Sequence, residues 1–429
     1  MKLPLNAFQI PDLSRIEVPR GEWLERRLCD FGTALDSAVL RATQIAVDAM
    51  MMPAPEDLPA LRDSAEPLLD ARLLSEPWRF FAFEETPAAL GATVEPHRSL
   101  AGGRVVRRAL CIAYRSYQAN GHEAAKPDRI LFEHWMHDAD PPRGTMVAVH
   151  GYRMGRPRID AMQLMVREWF RRGLDVALVT LPHHGARTPA GARFSGEAFA
   201  VPHVARLAEA VRQAVYELRL LALWLRGRGA GPVGFLGQSL GGYLVALLAG
   251  LYQDLDFAIP MVPPACMGDL AWRFLRRSRH YRSGAGPAIS RQELRAAFRV
   301  HSPLAHPLRT PRERVLLVAG LGDRIVPPEH PGALWRHWGK PAIHWFHGGH
   351  LARFGRAGII DAVVRHLERF VRFPGFHRSR SLSYRLSYFF VVCAVLVSLR
   401  GRGRRGSQSR ILWYPSRGIR REMSRNLLI

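Results

Sequence analysis

The chain has 429 residues, of which 48% are hydrophobic, and a formal charge of +24. This length and apolar content exclude disorder as the main state and suffice for one large α/β domain with additions, or for two domains. The charge would suggest nucleic acid or an acidic membrane surface, but nearly all of it is arginine, with Lys2, Lys126 and Lys340 the only lysines. Such a skew reads as a coding bias, so no nucleic-acid partner is expected.

In chain order, residues 1–20 read as irregular, and residues 1–10 have no long apolar core before Pro11 and Asp12, so no secretory signal is expected. From Glu22 to about Met50, Leu24, Leu28, Phe31, Leu35, Val39 and Ala42 recur at helical spacing, with Asp36, Arg41 and Asp48 off that face. An amphipathic helix, or a pair of them, covering part of the core is expected. Pro53, Pro55 and Pro59 break the pattern, and a mixed region runs to about residue 102. Arg104–Gln118 and Arg129–His137 alternate as strands, and Asn120-Gly121 between them favours an antiparallel hairpin.

Thr145–Val149 is short and apolar, as a buried strand would be, and strands and helices alternate from there. Helices are expected over Ala161–Arg172, Val204–Leu225, Leu240–Leu251, Gly332–Trp338 and Ile359–Val371. Strands are expected over Asp175–Leu181, Val233–Gly237, Phe257–Val262, Val315–Ala319 and Ile343–Phe346. Between Pro263 and Arg314 the alternation is interrupted by a segment rich in Arg and Pro with one helix around Leu270–Arg277. Repeated βα units with five-residue apolar strands predict an α/β fold, a mainly parallel sheet with helices on both faces. In such sheets the chemistry sits at the carboxyl ends of the strands.

One stretch organises these elements. Val233-Gly-Phe-Leu-Gly-Gln-Ser-Leu-Gly-Gly242 reads as strand, sharp turn and helix, with Ser239 at the apex. A serine hydroxyl needs an exposed, strained turn, a base for its proton and donors for an oxyanion before it can act as a nucleophile. Side chains at Gly237 and Gly241 would force strand and helix apart.

The acid candidate is Asp323, just beyond the strand Val315–Gly320; Asp256 precedes a strand and Asp269 lies inside the inserted segment. For the base, His350 in His347-Gly-Gly-His350 follows a strand directly; His344 and His347 are rivals, and His344 sits within the strand. Backbone N–H groups of Leu240 and Tyr152 are the expected oxyanion donors, with His150 shaping the loop. His183-His184 lacks a third ligand at metal spacing, so no metal and no cofactor are expected.

With Gly237-Gln-Ser-Leu-Gly241, Gly322-Asp323-Arg-Ile-Val-Pro327 and Gly348-Gly-His350 in the order serine, acid, histidine, the chain resembles the α/β-hydrolase superfamily over roughly residues 104–373. The resemblance implies a serine hydrolase acting on carboxylic esters, lipid-like ones included, through an acyl-enzyme on Ser239. It also implies a lid in the insertion at about 265–312, where Leu270, Ala271, Trp272, Phe274 and Leu275 either face an acyl chain or simply pack. An acyltransferase with the same triad and a non-catalytic binding protein of the same fold are the alternatives.

This divides the chain into an N-terminal extension (1–103), the hydrolase domain (104–373) and a tail (374–429). Residues 376–429 carry twelve arginines against one acid, Glu422. Their apolar run Leu386–Leu399 is shorter than the ~20 residues of a membrane-spanning helix. It reads either as an interfacial segment giving weak membrane association or as a tail outside any selected structure. Cys29, Cys111, Cys266 and Cys393 lie far apart, which favours a reducing compartment and a cytoplasmic location.

Overall fold

The computed structural model describes residues 11–19, 23–50, 65–83, 91–117, 126–138, 143–199, 203–277 and 290–371. The hairpin turn at Ala119–His122, the prolines at 53, 55 and 59, and the basic tail with its run Leu386–Leu399 lie outside the described residues.

Nine strands of the described residues form one sheet in the order β1-β2-β3-β5-β4-β6-β7-β8-β9. They are β1 (Ala92–Leu100), β2 (Gly103–Tyr114), β3 (Lys126–His137), β4 (Thr145–Val149), β5 (Asp175–Thr180), β6 (Val233–Gln238), β7 (Ala258–Met261), β8 (Leu316–Gly320) and β9 (Ala342–Phe346). The pairs from β5 across to β9 are parallel, and β1, β2 and β3 add an antiparallel flank at one edge. The hairpin pairing of β2 with β3 runs from Gly103 opposite His137 to Tyr114 opposite Lys126.

The helices are α1 (Trp23–Met50), α2 (Ala71–Ser75), α3 (Pro157–Gln163), α4 (Val166–Arg171), α5 (Val204–Arg226), α6 (Leu240–Leu251), α7 (Met267–Leu275), α8 (Arg291–Ala297), α9 (Glu329–His337) and α10 (Arg356–Leu367). Alternation along the strands feeds two cores. Val147, Val149, Ala177, Val179 and Phe235 point to the face covered by α5 and α6. Met146, Ala148, Val176, Leu178 and Leu236 point to the face covered by α4 and α10. Both faces exclude water, which is why β4, β5 and β6 are buried throughout and why their sequences are short apolar runs.

Four expectations need correction or extension. Strand β1 lies where only a mixed region is legible, because Pro96 and a register shift between Pro96 and Arg98 interrupt its alternation; Pro is tolerated on an edge strand. The helix expected over Ala161–Arg172 is two helices, broken where Met165 takes a left-handed conformation (φ 57°). There the indole Nε1 of Trp169 donates to the freed carbonyl of Leu164 at 2.7 Å. The insertion holds a second helix, α8, nucleated by a capping box in which Ser290 Oγ accepts from Glu293 N and the Glu293 carboxylate accepts from Ser290 N.

The fourth concerns α1. Asp36, read as lying off the buried face, is fully buried, whereas Phe31 is 57% exposed. The contact stripe centres on Gly32 and Asp36, one turn apart, because the helix meets loop backbone there. A Cβ on Gly32 would collide with Gly349 N and lie 2.6 Å from Gly348 C. Only a residue without a side chain permits that approach.

Candidate active site

The loops after β4, β6, β8 and β9 all leave the carboxyl ends of parallel strands, so the fold gathers them on one rim of the sheet. After β6 the chain turns through Ser239, whose φ of 56° and ψ of −114° are a strained conformation for a residue with a side chain. Such strain costs on the order of 1–3 kcal/mol and persists only where the surroundings enforce it. Here Ser239 N donates to Met261 O at 2.9 Å, while Ser239 O accepts from Tyr243 N at 2.8 Å.

The glycines flanking Ser239 behave as their spacing suggests. A Cβ on Gly237 would strike the Gly241 carbonyl, and one on Gly241 would strike the Val149 carbonyl. A Cβ on Gly242 would lie 2.5 Å from Met261 O. Strand β6 and helix α6 therefore pack backbone to backbone against β4 and β7.

The loop after β4 lies against the same turn, since a Cβ on Gly151 would come within 3.4 Å of Ser239 Cβ. His150, fully buried, holds that loop. Its Nε2 accepts from Leu181 N at 3.1 Å, which leaves Nδ1 as the protonated nitrogen donating to Gly151 O at 2.8 Å. Burial and neighbouring His184 push the His150 pKa down to about 3, so the ring stays neutral in that tautomer. Tyr152 follows at the loop's turn, its phenol pushed up to about 12 by burial.

Asp323 and His350 meet in a buried pair, His350 Nδ1 to Asp323 Oδ2 at 2.6 Å. The other Asp323 oxygen accepts from Ile325 N at 2.9 Å and Val326 N at 2.7 Å, so the carboxylate is held on both sides. The loops that carry them are zipped together: Leu321 N donates to Phe346 O at 3.0 Å and Gly322 N to Gly348 O at 2.8 Å. Gly348 takes φ 119°, a conformation that a side chain would strain, and closes a tight return in which Gly349 N donates to Ala352 O at 2.9 Å. Burial alone would lower the His350 pKa, but the Asp323 carboxylate, its hydrogen bond and the Asp36 carboxylate together hold it above the ordinary histidine value.

The rival acids are engaged elsewhere. Asp256 accepts from Val233 N at 2.8 Å and pairs with Arg226 at 3.2 Å, while Asp269 is clamped by Arg291 and Arg295, each at 2.7 Å. His344 lies within β9, and burial lowers its pKa. His184 is buried with Nδ1 against Pro182 O at 2.8 Å. Among the described residues no group of three or more His, Cys, Asp or Glu side chains is arranged to hold a metal ion. In the insertion, Leu270 is buried, and Ala271, Trp272 and Leu275 pack partly buried against the core.

Asp36 was not among the sequence candidates. Its Oδ2 accepts from His350 N at 2.6 Å and Arg324 N at 3.1 Å, and its Oδ1 accepts from Leu351 N at 3.1 Å. The available signal was local: Gly32 and Asp36 share a helical stripe with Leu28, Leu35 and Val39, an arrangement unusual for a solvated acid.

No family model matches the chain. Two uncharacterized proteins from two strains of Mycobacterium tuberculosis are each 36% identical to it over 267 residues, a match spanning 59% of this chain and 59% of each relative. The solved structure of acetyl xylan esterase 1 from Thermoanaerobacterium sp. superposes with a TM-score of 0.51 at 14% identity, covering 74% of this chain and 99% of that one. An acetyl xylan esterase from Paenibacillus sp. R4 aligns at TM-score 0.47 and 16% identity over 73% of this chain and 95% of its own. With its order of parallel strands, its serine at a strained strand-to-helix turn and its match to the Thermoanaerobacterium structure, the chain has the α/β-hydrolase fold.

Proposed function

We propose that the chain is a serine hydrolase of carboxylic esters, with Ser239 as nucleophile, His350 as base and Asp323 as the acid that orients it. The observation that supports this reading best is the buried His350–Asp323 pair on the rim where Ser239 occupies strained backbone. The solved structure of the same fold is that of an acetyl xylan esterase, which agrees with it.

In this reading Asp323 accepts a hydrogen bond from Nδ1–H of His350, which leaves the Nε2 lone pair to take the proton of Ser239. Ser239 Oγ attacks the acyl carbonyl, and the oxyanion is received by the N–H groups of Leu240, at the start of α6, and Tyr152, in the loop beside Ser239. Collapse breaks the bond to the alkoxide, which departs with the proton from His350. Water then gives up a proton to the same nitrogen as it attacks the acyl-enzyme, and collapse breaks the bond to Ser239 Oγ, which recovers that proton from His350 as the carboxylic acid is released. If another hydroxyl replaced water in this second half, the product would be a new ester; product analysis separates the two.

The test is labelling by a fluorophosphonate together with turnover of a short-chain aryl ester. Wild-type protein should label at Ser239, and Ser239→Ala should lose the label and at least ~1,000-fold in kcat while keeping its melting temperature. Wild-type protein that neither labels nor turns over the ester would leave a non-catalytic binding protein as the reading.

A further inference from the structure

We propose that Asp36, on the N-terminal helix α1, is a positioning residue for His350: its carboxylate ties the acid-bearing and base-bearing loops together and adds a second negative charge beside the imidazole. The proposal rests on the reading of His350 as the base.

The geometry comes from two directions. From the loops, three backbone N–H groups converge on one carboxylate: those of His350 and Leu351 after β9, and that of Arg324 after β8. Arg324 directly follows Asp323, so one side chain grips the residue next to the acid and the backbone of the base itself. From the helix, the approach is close enough to require missing side chains. Gly32 meets Gly349 N, a Cβ on Gly349 would lie 2.5 Å from Asp36 Oδ2, and one on Gly322 would lie 2.6 Å from Cys29 O. Thr33 Oγ1 adds a hydrogen bond to Gly322 O at 2.9 Å, and Phe31 packs edge-on against Phe354 at 5.7 Å.

A helix that merely shielded the core would bring apolar side chains to such a contact. Instead it buries a carboxylate completely, which is unfavourable unless donors compensate it. Burial and the charge of Asp323 push the Asp36 pKa up, while His350 and the backbone donors from His350 and Arg324 pull the other way. The charged groups facing the His350 ring are Asp323 from the loop after β8, Asp36 from α1 and Arg353 from its own loop. When His350 takes the serine proton, the charges of both carboxylates favour the imidazolium, Asp323 at the ring and Asp36 from the backbone side, and the hydrogen bonds keep the residue in place. Because the contact is with the backbone of His350, losing it displaces the whole residue and not only its charge.

Full-length Asp36→Asn and Thr33→Ala variants separate this role from plain support, since both lie on the same helix face and only the first removes a charge. In Asp36→Asn, kcat is expected to fall on the order of 10- to 100-fold with KM within about two-fold. The acid limb of its kcat/KM profile should move to lower pH, because a neighbour that favours the protonated ring has gone. In Thr33→Ala the acid limb should stay in place. An acid limb that does not move in Asp36→Asn, or moves equally in both variants, overturns the proposal.

Should Asp36→Asn fail to fold, Gly32→Ala provides the second test, since alanine favours the helix itself while its methyl group drives α1 off the Gly348-Gly349 backbone. Loss of kcat at unchanged KM is expected there, and wild-type turnover would refute the role. Fluorophosphonate labelling of the wild type is scored separately. Absence of label removes the hydrolase reading, whereas normal label with an unmoved Asp36→Asn profile removes only this one.

Discussion

Gly241→Ala probes whether close backbone packing is what presents Ser239. Helix propensity alone would favour alanine within α6 by up to ~1 kcal/mol. Against that, a Cβ at this position strikes Val149 O and lies 2.7 Å from both Val149 C and His150 O, whereas real Cβ atoms essentially never approach such neighbours within 3.0 Å. Those atoms cannot swing aside, because Val149 is locked in register opposite Gly237 in the parallel ladder of β4 and β6. Relief needs a displacement of roughly 1 Å between α6 and β4. Overpacking of this kind costs about 1–3 kcal/mol. The same displacement carries Ser239 away from Gly151 and Tyr152, and an error of that size in a reacting geometry costs on the order of 100-fold in rate. Thermal unfolding and the rate of fluorophosphonate labelling report the two effects separately. Gly227→Ala is the control: at the end of α5, with φ −60° and its nearest neighbour 3.5 Å away, it should be neutral or stabilise by about 0.4–1 kcal/mol. A Gly241→Ala protein with wild-type melting temperature and labelling rate would refute the packing argument.

With His350 as the proposed base, ester turnover should fall as pH drops, because a protonated imidazole cannot accept the serine proton. The sequence alone places that limb at about pH 6.5. Since burial is outweighed by Asp323, its hydrogen bond and Asp36, His350 stays protonated to higher pH, and the midpoint of the kcat/KM profile in wild-type protein should lie above that value. A midpoint below it would contradict the assignment. Away from the rim, Arg187 is paired with Glu217 at 2.5 Å and both side chains are buried. Arg187→Ala strands a buried carboxylate and should destabilise the protein by about 3–5 kcal/mol in urea unfolding, with an Arg187→Met/Glu217→Leu pair losing much less. Equal losses in the two would refute the desolvation argument.

Much of the architecture is legible in the chain because its physical causes are local. Buried parallel strands must be short apolar runs, and Thr145–Val149, Asp175–Leu181 and Val233–Gly237 read that way before any coordinates, within a residue of the strands β4, β5 and β6. Gly237 and Gly241 betray the turn at Ser239 because that geometry admits no side chains there. Asp323 and His350 stand out because each closely follows a strand, where loops converge on one rim. The break at Met165 and the edge strand with Pro96 were hidden, since a single left-handed residue or a register shift leaves little trace in periodicity.

What the linear chain by itself determined is which residues alternate, turn and cap, and hence the sheet, the serine turn and the order of the candidate triad. Only the tertiary structure decided that α1 turns its Gly32–Asp36 stripe inward, against loops about three hundred residues away. Periodicity ranks a helix face by its apolar side chains, but this face docks on backbone N–H groups, and a carboxylate is buried wherever enough such donors converge to replace water.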